Sequence, residues 1–194
     1  MNRLVSIVGG VMVMAFVASA TPVDFSSDAF KGANNKSSFT SEYYGITLTA
    51  SPKGAKLTQS KDGIGIDGLI DLTPNEINGS EVLTISFGRD VNLESVYISN
   101  LYTEGFIIVW QESGIYELSS GEIGQFVSGN KNGELTLDIN KTVSSISLYT
   151  RDPWEVRYDF SVKGVNFTSV PEPAVLSMLG ISLLGLCFVR NRKK

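Results

Sequence analysis

Between Asp62 and Glu81 the sequence gathers five carboxylates (Asp62, Asp67, Asp71, Glu76, Glu81) and two carboxamides (Asn75, Asn78). Calcium takes about six to eight oxygens, mixing carboxylate, carboxamide and backbone carbonyl, and often draws them from one loop. Asp67, Asp71, Asn75, Glu76, Asn78 and Glu81 are therefore the candidate ligands of a calcium site just ahead of a strand. The competing reading is a solvated acidic loop that keeps the surface soluble. The same run sets glycines at 63, 65 and 68, the spacing G-x-G-x-x-G. A dinucleotide site needs that turn to follow a strand and open a helix. Pro74 and the absence of a helical period deny the helix.

A second candidate chemistry is sugar recognition by aromatic faces. Trp154 follows Arg151-Asp152-Pro153 in an expected loop and is the candidate stacking residue. Trp110 ends an apolar run and reads as core, the usual place of a large aromatic. Paired carboxylates could also hydrolyse a glycoside without histidine, at a fixed separation that sequence does not reveal. The chain has no histidine, which removes Ser-His and Cys-His nucleophiles and His-ligated metals. Its one cysteine, Cys187, lies in an apolar run near the C-terminus, so intrachain disulfides and Cys-based zinc sites are excluded. No nucleophile elbow is present. The expectation is a non-enzymatic protein with no catalytic residue.

Charge and composition narrow the partners. Of 194 residues 42% are hydrophobic and 19% charged, a composition that folds. The net charge is −4, but residues 21–169 hold 19 acidic against 11 basic residues, a net −8. Such a body does not bind nucleic acid, which calls for a basic face.

These candidates sit between two terminal address signals. Residues 1–20 read as a secretory signal peptide: Arg3, an apolar stretch from Leu4 to Val17, then small residues at Ala18 and Ala20 ahead of Thr21. Signal peptidase and the Sec machinery are the implied partners. At the other end Val170-Pro171-Glu172-Pro173 precedes sixteen uncharged residues, 174–189, and the basic tail with Arg190, Arg192, Lys193 and Lys194. Sixteen helical residues span about 24 Å, short of a hydrocarbon core of about 30 Å. A short helix backed by cations fits a transient stop in the inner membrane, with the tail cytoplasmic and the body outside.

Residues 170–194, with the Pro-Glu-Pro triplet, the short apolar helix and the basic tail in order, resemble the PEP-CTERM sorting signal. The resemblance implies an exosortase that recognises the triplet and removes the tail. It also implies a Gram-negative bacterium that makes exopolysaccharide, and delivery to the cell surface or extracellular matrix. Cys187 would leave with the tail, so the exported body would be free of thiols. Residues 57–98 also look like a pattern recurring in PEP-CTERM ectodomains. That pattern is a Gly-Ile-Gly-Ile run, an acidic loop, alternating Glu81, Leu83, Ile85 and Phe87, then residues 92–96. It implies a sandwich domain with no assigned catalysis.

The body, residues 21–169, reads as all-β. Period-2 stretches recur at 44–50, 81–87, 93–98, 135–139 and 156–163, with the continuous apolar run 106–110 suiting a buried strand. Asp62-Gly63, Asp67-Gly68 and Asn132-Gly133 punctuate them as turns, the last as a hairpin between 123–127 and 135–139. Residues 34–41 read as a loop and Thr168-Ser169 as the start of a stalk. Eight to ten strands in about 150 residues suggest one antiparallel, jelly-roll-like sandwich. Its first and last strands should lie close together, with 25–30 near 156–162. The function expected is a surface or matrix protein, structural or adhesive, binding exopolysaccharide with calcium support. The alternatives are a small glycan-active hydrolase and a surface component that contacts other proteins.

Overall fold

The computed structural model describes residues 19–68, 75–104, 110–129, 132–150 and 158–170. The expected all-β sandwich forms. Ten strands make one antiparallel sheet that folds over on itself, and a two-stranded ribbon (β7, Thr103–Glu104; β8, Trp110–Gln111) stands apart.

Two long strands make the fold-over. β6 (Val82–Ser99) and β11 (Leu135–Thr150) pair with each other along their length. β6 joins the stretches 81–87 and 93–98, expected as two strands, and β11 runs well beyond the expected 135–139. In β6 the buried alternation of Leu83, Ile85 and Phe87 breaks at exposed 88–90 and resumes at Val91. In β11 it breaks at exposed 140–142, between buried Ile139 and Val143. Gly88 (φ 66°) and Asn140 (φ 51°) take left-handed backbone there, and the ladder slips register beside both. Each strand therefore bends without ending, as bulged corner strands do.

The first half of β6 also pairs with β3 (Ile46–Ser51), which pairs with β2 (Ser38–Ser41). The second half of β11 pairs with β9 (Ser113–Leu118), whose far side holds β10 (Ile123–Val127). The second half of β6 pairs with β12 (Ser161–Ser169), which also takes β1 (Thr21–Asp24) and β5 (Gly63–Asp67). β4 (Lys56–Ser60) closes that side against β5. The two layers meet through one core. Phe126 of β10 stands edge-on to Phe160 beside β12, centroids 5.1 Å apart, and Phe87 of β6 meets Phe167 of β12 at 5.1 Å. A short 3-10 helix (Asp28–Ala33) buries Phe30 against Phe25 at one end.

Several expected boundaries move. Asn132-Gly133 does not join β10 to β11 as a hairpin. β10 instead turns back onto β9, while residues 135–138 pair with 95–98 of β6. Residues 38–41 of the expected loop form β2. The last strand starts at Ser161, and its pattern is interrupted by a bulge at Lys163. Residues 25–27 turn and 28–30 open the 3-10 helix; the neighbour of β12 is β1. Thr168 and Ser169 belong to β12, so no stalk precedes Val170.

Candidate functional site

The acidic segment begins inside the core. Residues 63–66 of β5 are buried, and the Asp67 side chain is exposed at the strand's end. The glycine spacing serves close packing. A Cβ on Gly63 would strike the Val162 carbonyl, one on Gly65 the Asn75 carbonyl, and one on Gly68 the Glu81 carboxylate. The returning chain crosses over β5 at that point. Ile66 N–H donates to the Glu76 carbonyl at 3.3 Å, and Ile77 N–H to the Phe160 carbonyl at 2.6 Å. Asn75 turns the chain with φ 83°, and Ser161 Oγ donates to its carbonyl at 2.9 Å.

This crossing divides the candidate calcium ligands. Glu76 is half-buried, and its carboxyl meets that of Asp159, with the Asn100 amide and Asp62 nearby. Burial, then the charge and hydrogen bond of Asp159, push the Glu76 carboxyl up to about 8. Glu76 thus holds its proton at neutral pH and shares it with Asp159, as two close carboxyls do. Asn78 and Glu81 lie in a separate buried turn. The Asn78 N–H donates to Glu81 Oε2 at 3.0 Å, and the Glu81 N–H returns to the Asn78 carbonyl at 3.0 Å. Thr150 Oγ1 donates to the Gly79 carbonyl at 2.7 Å and ties that turn to β11. Asp71 lies outside the described residues. Among the described residues no group of three acidic or cysteine side chains converges to hold a metal. Sequence reasoning missed Asp159 and Asn100, which lie 83 and 24 positions from Glu76; only the return of the chain brings them there.

A second feature carried no sequence signal. A groove of about 790 Å³ runs over Gly164, at the bulge where β1, β12 and β6 meet. Pro22, Tyr97 and Leu135 supply its apolar surface, and Asp24, Glu134 and Lys163 its charged rim. Lys163 Nζ donates to Glu134 Oε1 at 2.7 Å; this hydrogen bond raises the Lys163 ammonium pKa and lowers that of the Glu134 carboxyl. Trp154 lies outside the described residues, as does the side chain of Trp110.

The first and last strands of the body lie side by side. Thr21 pairs with Phe167, so Ala20 and Thr21, where signal cleavage is expected, and the end of β12 at Ser169 share one end of the sheet. Ser19 and Ala20 are exposed, and Val170 is half-buried. Ala18, Pro171, Glu172, Pro173, residues 174–189 and the basic tail lie outside the described residues. Among the described residues no helix is long and apolar enough to cross a membrane.

A family profile described as the PEP-CTERM protein-sorting motif matches residues 169–193. The match begins on the last residue of β12 and takes in Val170 to Pro173 and the tail through Lys193. It marks a protein sorted by exosortase: exported, held for a time at the membrane, then processed to the surface. No curated protein matches the chain.

Proposed function

We propose that the exported body is a non-catalytic structural or adhesive component of an exopolysaccharide matrix, delivered there by exosortase processing. The carrying observation is the sorting motif joined directly to β12. The groove over Gly164 is the surface best suited to a glycan. It offers a tyrosine ring beside hydrogen-bonding carboxylates and an ammonium, and its volume lies in the usual range for ligand pockets. The −8 body repels an anionic polysaccharide, so calcium enters as an ion bridging the two, or the glycan is neutral. The carboxyl pair also favours the non-catalytic reading. Glu76 and Asp159 touch through a hydrogen bond, whereas glycoside hydrolysis needs carboxyls about 5–9.5 Å apart with the sugar between them.

The test expresses the full chain in an exosortase-bearing host and in the same host without exosortase. The tail should be removed only in the first, and Glu172→Ala should leave it attached in both. Tail removal in the host without exosortase would overturn the sorting reading. Co-sedimentation of the exported protein with neutral and acidic polysaccharides, with calcium and with EDTA, tests the adhesive part. Loss of binding in Tyr97→Ala is the expected result, and no binding to any of them would remove the glycan role.

A further inference from the structure

Among the described residues β10 ends its layer of the sheet, and its outer edge is built to accept another strand. The direction of its backbone groups follows from the bonds it makes to β9. Leu118 N–H donates to the Glu122 carbonyl at 2.9 Å, and Ser128 N–H to the Glu112 carbonyl at 2.8 Å. The register runs unbroken between them, with Gly124 opposite Tyr116 and Phe126 opposite Gly114. In an antiparallel ladder, hydrogen-bonded pairs recur at every second residue. Residues 122, 124, 126 and 128 therefore face β9: Gly124 and Phe126 through the ladder, Glu122 through its carbonyl and Ser128 through its N–H, while the Ser128 carbonyl takes the Gln111 side-chain amide at 3.3 Å. Ile123, Gln125 and Val127 turn theirs outward.

The side chains agree with this reading. Ile123 is 62% exposed and Val127 40%, two of the four large hydrophobics left exposed among the described residues. Gln125 between them is exposed as well, while Phe126 packs inward on Phe160. The edge carries no proline, no lysine and no bulge, the devices that blunt free edges. The edge of β4 is different. Asn35 N–H bonds the Leu57 carbonyl at 3.0 Å, and Leu57 N–H bonds the Lys36 carbonyl at 2.7 Å, so that edge is already covered.

We propose that β10 pairs with β10 of a second copy of this chain, antiparallel and centred on Gln125, joining two bodies into one continuous sheet. The sequence Ile-Gly-Gln-Phe-Val is self-complementary in that register. Ile123 of each copy stands opposite Val127 of the other, and Gln125 opposite Gln125. All three pairs are of the hydrogen-bonded kind, giving about six new backbone bonds. No like charges oppose each other. Glu122 falls opposite Ser128 and is already held by Lys141 at 2.9 Å. An aliphatic, uncharged edge in an acidic body suits a second copy better than an anionic polymer. The contact is small, so pairing is reversible and depends on concentration.

Cysteine cross-linking in the full chain reads the register. The background is Cys187→Ser in mild detergent, which leaves no native thiol. At the two-fold axis the Cα atoms of residue 125 lie about 5.5 Å apart, within disulfide reach. Gln125→Cys should give a covalent dimer on mild oxidation. Ile123→Cys and Val127→Cys should each give none alone, and an equal mixture of the two should regain it. A Gln125→Pro variant should lose the reversible dimer in sedimentation while keeping its circular dichroism, because that N–H faces away from β9. No covalent dimer from Gln125→Cys, or equal yields from all three single variants, would overturn the proposal. If Gln125→Pro fails to fold, the cysteine series decides.

Discussion

Changing Glu76 to glutamine tests the carboxyl pair directly. The Glu76 pKa rises from 4.5 to about 8, chiefly by burial and next by Asp159. A carboxyl with a raised folded-state pKa binds a proton in the folded protein that the unfolded chain has released. Stability therefore falls as pH rises from about 4.5 to about 8 and levels off on either side. Taken whole, a shift of that size corresponds to almost 5 kcal/mol at about 1.4 kcal/mol per unit. Glu76 is only half-buried and partly screened by water, so about 2 kcal/mol is the reasonable magnitude. Glutamine keeps the shape, stays neutral and still donates to Asp159. At pH 5 the variant should melt within about 1–2 °C of the native protein. At pH 9 it should melt roughly 4–8 °C higher, given about 2–4 °C per kcal/mol for a domain of this size. The assay is a melt of the exported body from pH 5 to pH 9, read as variant minus native. The difference cancels the general repulsion among the other carboxylates. A difference that stays flat across this range, or is larger at pH 5 than at pH 9, would refute the shared proton.

Two further outcomes follow from the same segment. Gly65→Ala should destabilise the body by about 2–4 kcal/mol, lowering the urea midpoint, because its Cβ would collide with the Asn75 backbone and push the chain off β5. A native-like midpoint would show that the crossing is loose. A melt of the isolated body with millimolar calcium and with EDTA should coincide, since Glu76 spends its carboxyl on Asp159 and Glu81 on the Asn78 N–H. A rise of several degrees in calcium would instead establish a specific site through linkage.

The strands were legible where alternation was long. Leu83, Ile85 and Phe87, and later Leu93, Val96 and Ile98, were read correctly as inward faces. Their union into one bent strand was not legible, because an exposed triplet such as Gly88-Arg89-Asp90 has the same local composition in a corner as in a loop. The segment 62–81 was read as a loop because Gly, Asp and Asn dominate it. Gly63 and Gly65 are there because backbone crosses backbone: residue 162 lies far along the chain, and residue 75 comes close only once the segment folds back over β5. Asp159 was passed over as the polar half of an alternating strand, although it lies ahead of the strand and faces Glu76. The sorting triplet was legible because an address is read as a linear sequence and needs no fold.

The placement of the body's two ends explains how the sorting tail can be removed without loss of the body. The described core runs from Val23 to Phe167, so neither a cut ahead of Thr21 nor a cut beyond Ser169 takes a core residue. The strands at the two ends are paired with each other, and β12 is held on its other side by β6. Phe25 N–H adds a further bond to the Lys163 carbonyl at 2.8 Å, fastening the start of the chain beyond the ladder. Stability and sorting are thus written in separate parts of the sequence. A substitution that blocks tail removal should leave the melt of the body unchanged, and one that loosens β1 from β12 should lower the melt without altering the triplet that exosortase reads.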